Sequence, residues 1–117
     1  MTNFEKFHPL LTANFKLDWL TTVPLNVLLA FGYSAEEVHL KMQQTMRGAQ
    51  LSYAIVERAS NSFQGVLTIK FSESTAEIAG TVKPEFSGES EIMDYLKGFL
   101  AANFSVNHLK KNFIIFS

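Results

Sequence analysis

The stretch PEFSGESEIMDYL, residues 84–96, sets one glycine, Gly88, directly before an amphipathic run that opens with acids. A glycine at the mouth of a helix lets backbone approach a ligand closely, and the free amides with the helix dipole attract an anion. The side chains oppose that chemistry. Glu85, Glu89, Glu91 and Asp94 crowd the stretch, and it holds no Lys or Arg. A carboxylate several ångströms from an anion costs roughly 1 kcal/mol in water and more where solvent is excluded. The same acids suit an ordinary helix start, where each stabilises by about 0.3–1 kcal/mol. Two readings therefore stand on these residues, an anion site and a plain acidic helix start.

Other chemistry-bearing residues are sparse. His8, His39 and His108 are scattered without ligand spacing, so they read as solvated or packed side chains and no metal site is expected. Tyr33, Tyr53 and Tyr95 are each able to act as an acid, and Met42 with Met46 reads as core on one helix face. The chain has no cysteine, which excludes disulfides, thiolate ligands and a cysteine nucleophile. No G-x-S-x-G elbow, phosphate-binding P-loop or H-E-x-x-H helix occurs.

These groups sit in 117 residues, 47% hydrophobic and 18% charged, which reads as one domain over 1–117 with a core of its own. Ten Lys+Arg against eleven Asp+Glu give a net charge of −1 with no basic stripe, so nucleic acid is not an expected partner. The longest apolar stretch, VPLNVLLAFGY, has eleven residues with Asn26 inside, too short to span a bilayer. The N-terminus lacks the pattern of a signal peptide, and a cytoplasmic protein is expected.

The elements that must position the site follow from periodicity. NFKLDWL (14–20) alternates Phe15, Leu17 and Trp19 against Lys16 and Asp18, the pattern of a half-buried strand. Thr21 and Thr22 offer caps for a short helix with Pro24 in its first turn, continued by Leu25, Leu28 and Leu29 and ended at Gly32. Ser34-Ala35-Glu36-Glu37 is a capping box opening a helix to about Met46, with Val38, Met42 and Met46 on one face. LSYAIVER (51–58), FQGVLTIKF (63–71) and TAEIAGTVKP (75–84), joined by short turns, predict an antiparallel meander. Ile92, Leu96, Phe99 and Leu100 give the last helix a clean apolar face. NFIIFS reads as a strand buried on both faces. The order β-α-α-β-β-β-α-β predicts an α+β fold, a mixed, mostly antiparallel sheet with packed helices.

That order, with YAIVE (53–57), FQGVLTIK (63–70), AEIAGTVKPEFSG (76–88) and the helix to Phe104, resembles the GNAT superfamily of acetyl-CoA-dependent N-acetyltransferases, above all its ribosomal-protein-alanine acetyltransferase branch. The resemblance implies acetyl-CoA as cosubstrate and a small-molecule or peptide amine as acceptor. It implies a pyrophosphate loop at Ser87, Gly88, Glu89 and Ser90, and a general base on the AEIAG strand at Glu77, with Glu57 a weaker candidate. It also implies that the AEIAG strand and the last strand splay apart. The acyl-pantetheine cleft would then lie between Ala79, Thr81 and Val82 on one side and Phe113 and Ile115 on the other.

Two departures qualify this. In the family loop, Q/R-x-x-G-x-G/A, the Gln/Arg position is Ser87 here, the central glycine is Ser90 and the last small residue is Ile92; only Gly88 keeps its type. The family also continues past the last strand into a further helix, whose tyrosine acts as an acid, and two more strands. A buried-type strand at the end of the chain needs a neighbour, so a homodimer through Phe113 to Phe116 is expected. Three functions remain open: an N-acetyltransferase-related protein with weak or lost acetyl-CoA binding, a non-catalytic dimeric interaction or small-ligand module on the same fold, and, should the strand order differ, a small α+β ligand-binding domain of unrelated ancestry.

Overall fold

A computed structural model describes residues 9–48 and 50–116. Strands β1 (Leu10–Leu11) and β2 (Phe15–Asp18) form a small hairpin, followed by a 3-10 turn at Leu20–Thr22 and the helices α1 (Leu25–Ala30) and α2 (Ala35–Met46). The meander is β3 (Gln50–Glu57), β4 (Ser62–Ser72) and β5 (Thr75–Val82); helix α3 (Glu89–Phe104) then leads to β6 (His108–Ile115). The six strands lie in sequence order in one sheet. All neighbours are antiparallel except β5 and β6, which run parallel because α3 carries the chain back between them. The α+β class and the meander are as the sequence predicts; β1 is an addition.

Local chemistry accounts for the boundaries. Gly32 ends α1 at φ +97°, a conformation that costs a residue with a Cβ. The Ser34–Glu37 capping box forms in both directions, at 3.1 Å and 3.0 Å. Asn61 and Glu73 take positive φ in the β3–β4 and β4–β5 turns. Ser105, also left-handed, closes α3 with its N–H on the Leu100 carbonyl.

The alternation of the strands divides the core in two. Leu17, Tyr53, Leu67 and Ile78 pack with Ile92, Leu96 and Leu100 of α3. On the opposite face Ala54, Phe63 and Val66 pack with Leu28 and Phe31 of α1 and Val38 of α2.

Three sequence expectations need correction. Met46 is 59% exposed, while Val38 and Thr45 are the buried residues of α2. Met46 lies eight residues, about 80° past whole turns, from Val38, which puts it at the margin of the buried stripe, while Thr45 at i+7 lies on its centre. The last strand begins at His108, four residues ahead of NFII, and it is an edge strand rather than one buried on both faces. Ile114 and Ile115 are 56% and 62% exposed. The third concerns the cleft. β5 and β6 do not splay: they pair from Thr75↔His108 to Val82↔Ile115, and the Phe116 N–H extends the ladder to the Val82 carbonyl at 2.8 Å.

Candidate functional site

The loop from Lys83 to Gly88 joins β5 to α3, and a turn bonds the Phe86 N–H to the Lys83 carbonyl at 3.0 Å. Gly88 is the N-cap of α3, and no side chain caps the helix there. Its missing side chain has an internal cause. A Cβ on Gly88 would lie 2.2 Å from Cε2 and 2.5 Å from Cζ of Phe15, whose ring also meets Phe86 edge-on at 5.2 Å. Gly88 is buried; Ser87 and Ser90 beside it are exposed.

Two of the four acids of this stretch are engaged. Glu89 pairs with Lys111 of β6 at 2.6 Å. Glu91 accepts from the Thr12 hydroxyl, and from the backbone N–H and side-chain amide of Asn14 at 2.7 Å each. The Thr12 hydroxyl, and after it the two Asn14 donors, hold the Glu91 carboxyl below its ordinary range. The acidic helix start thus ties α3 to the β1–β2 turn and to β6. The ion pairs among the described residues bring one basic side chain to the Gly88–Ser90 turn, Lys111, and Glu89 engages it.

Glu77 lies on the α2 side of β5 and is exposed. The register sets it opposite Lys70 of β4 and Lys110 of β6, so it stands in a cross-strand row with a cation on each side. Two residues along this side comes Ala79, and two further comes Thr81. Val82 points to the α3 side and is 4% exposed. The sheet therefore keeps Glu77 and Thr81 together on one side and separates both from Val82.

A polar seam that the sequence reading missed runs beneath α2. The Lys41 ammonium donates to the Thr68 hydroxyl at 3.3 Å and lies 5.9 Å from the centre of the Tyr33 ring. Thr68 meets the Ser52 hydroxyl at 3.2 Å, and the Ser52 N–H donates to the Thr45 hydroxyl at 3.1 Å. Burial lowers the Lys41 pKa, and the charge of Lys70 adds to this against the opposing pull of Glu37. Burial likewise raises the Tyr33 pKa, although its bond to Thr81 works the other way. The signal for this seam was present in the alternation of Ser52, Thr68 and Thr81 on their strands, but only the register brings them together.

The remaining candidates are dispersed. Tyr53 is wholly buried, and burial pushes its pKa up, which removes it as an exchangeable acid. Tyr95 lies on α3 at 6.2 Å from Phe99, on the other side of the sheet from Glu77. Glu57 accepts a hydrogen bond from Ser60 at 2.5 Å in the β3–β4 turn. His39 and His108 are on α2 and β6, His8 lies outside the described residues, and no three His, Asp or Glu converge on a metal-sized site among the described residues. Among the described residues, no helix is long and apolar enough to cross a membrane.

No protein-family model matches the sequence, and no curated protein matches it. Solved structures do. A candidate ribosomal-protein-serine acetyltransferase from Vibrio cholerae superposes with a TM-score of 0.75 at 14% identity, over 95% of this chain and 75% of that one. The fold is that of the GNAT acetyltransferases. A candidate GNAT-family acetyltransferase from Bordetella pertussis gives 0.66 at 13% identity, over 88% and 77%. Another candidate acetyltransferase, from Sphaerobacter thermophilus, gives 0.59 at 16%, over 82% and 65%. At these identities the GNAT likeness is one of fold, and chemistry has to be argued from the residues.

Proposed function

We propose that this GNAT-fold chain is an acetyltransferase-related protein in which acetyl-CoA binding is weak or lost. Acetyl-CoA is the usual cosubstrate of GNAT acetyltransferases, and the fold makes it the first ligand to test. The observation that carries the reading is the unbroken β5–β6 ladder, which closes at Val82↔Ile115. Paired strands lie about 4.8 Å apart, which leaves no gap between them for a pantetheine arm. The loop adds to this: its glycine packs against Phe15, and the cation beside it, Lys111, is already paired with Glu89. These residues do not fit acetyl-CoA in the manner of the family, so no catalytic step is derived through it.

A retained transferase activity is the second reading. It is favoured by the uncapped start of α3 and by Glu77 standing exposed as a candidate base. Calorimetric titration with acetyl-CoA separates the two. A ligand at a hundred times its Kd stabilises the fold by about 2.7 kcal/mol. The expected result is no heat at micromolar acetyl-CoA and no more than a small rise in melting temperature at millimolar acetyl-CoA. Micromolar binding, with acetylation of an amine lost in Glu77→Gln, would establish the second reading instead.

The partner we propose is a second copy of this chain, docked along β6. That strand forms the end of the sheet and exposes Ile114 and Ile115. An antiparallel pairing of two such edges is self-complementary, as a two-fold dimer requires. Lys110 and Lys111 on the same edge work against it.

A further inference from the structure

On the α1 side of the sheet, a cavity of about 290 Å³ opens between α1 and the chain just beyond β5 and β6. This volume lies at the small end of the range for small-molecule clefts. Its walls come from distant parts of the sequence. Phe31 is the centre of them, meeting Phe63 edge-on at 5.1 Å and Phe116 at 4.6 Å. Val27 and Ala30 form the helix side.

Each wall is fixed. Phe31 and Phe63 belong to the buried core. Phe116 is held by its N–H on the Val82 carbonyl and lies over Gly32, where a Cβ would come within 3.0 Å of the Phe116 ring. The ring thus packs closely over the bare Cα of position 32, and a side chain there would have to displace it by a few tenths of an ångström. A cavity with such walls is formed before any ligand arrives, so little ordering entropy opposes binding.

One cation lines this apolar space. Lys83 follows β5, its N–H bonds the Gln64 carbonyl at 2.9 Å, and its ammonium lies 5.7 Å from the centre of the Phe63 ring. The ion pairs among the described residues are Lys16–Asp18 and Lys111–Glu89, so Lys83 enters the cavity without a carboxylate. Asn26 adds an amide at the rim. No acidic residue lines the site.

We infer that this cavity binds a small apolar monocarboxylate, with its aromatic or branched body against Phe31, Phe63 and Phe116 and its carboxylate on Lys83. The charge count sets the class. A single ammonium beside aromatic rings matches one negative charge, whereas a phosphate dianion would bury charge without a partner. A neutral ligand would leave the ammonium unmatched. The inference does not depend on the acetyl-CoA reading, because none of these residues belongs to the Ser87–Ser90 loop.

The test uses phenylacetate and its uncharged isostere phenylacetamide, titrated into the full chain and followed by amide-resolved NMR. Phenylacetate is expected to shift the signals of Phe31, Phe63 and Phe116, and phenylacetamide to bind at least about tenfold more weakly, a difference of 1.4 kcal/mol. Lys83→Met should remove that preference while leaving phenylacetamide binding unchanged, so the amide reports that the cavity is intact. Ala30→Trp, at an exposed position, should fill the cavity and abolish both. The inference is overturned if phenylacetate gives no shifts at millimolar concentration, or shifts residues elsewhere. Equal binding of acid and amide, or a Lys83→Met protein that still prefers the acid, also overturns it.

Discussion

The bare Cα of Gly88 rests on the ring of Phe15: a side chain at 88 would begin 2.2 Å from Cε2. Phe15 is 5% exposed and wedged against Phe86, so it has nowhere to move. Gly88→Ala is expected to destabilise the fold by about 1–3 kcal/mol through overpacking. Phe15→Leu should recover part of that loss in the double variant, and urea melts of the four proteins read the coupling. Independent, additive losses would show that Gly88 serves something other than Phe15.

Glu91 links α3 to the β1–β2 turn, and its contribution should depend on acid. Bonds from Thr12 and then Asn14 keep its folded pKa below the usual 4.5, so the unfolded chain takes up the proton more readily. The stabilisation is complete above about pH 4.5 and is lost as pH falls through the lower folded value. Comparing melts of wild type and Glu91→Gln from pH 7 to pH 3 should show a gap that closes on the acid side. A gap that stays constant across this range would mean that the carboxylate charge is not what the three donors recognise.

Edge pairing along β6 predicts a concentration-dependent mass. Light scattering should show a dimer that Ile114→Lys returns to monomer, since a third cation on this edge adds repulsion at an exposed site without touching the core. A monomeric mass across the whole concentration range would remove the second copy as the partner.

Periodicity and cap chemistry made most of the fold legible. The three meander strands, the Ser34–Glu37 box and the Ile92–Leu96–Leu100 face depend on neighbours within a few residues, and sequence records such neighbours directly. β6 was misjudged because an apolar run such as NFII has the same composition whether covered or not. Its burial depends on what lies beside it, and Lys110 and Lys111 had hidden its first half. The candidate site was legible only as positions: Gly88, the acids after it and Glu77.

The use of those positions is a tertiary matter. Sequence determined that Gly88 precedes a helix, that acids surround it and that Glu77 alternates away from Ile78. It had no means of recording that Phe15, 73 residues earlier, fills the space beside Gly88, or that Glu91 is claimed by Thr12 and Asn14. Nor did it record that β5 and β6 stay paired to their ends, or that Lys83 meets Phe31 and Phe116 around one cavity. Local backbone preference is written in short windows; contact between distant segments is set by register and packing, which exist only once the chain has folded.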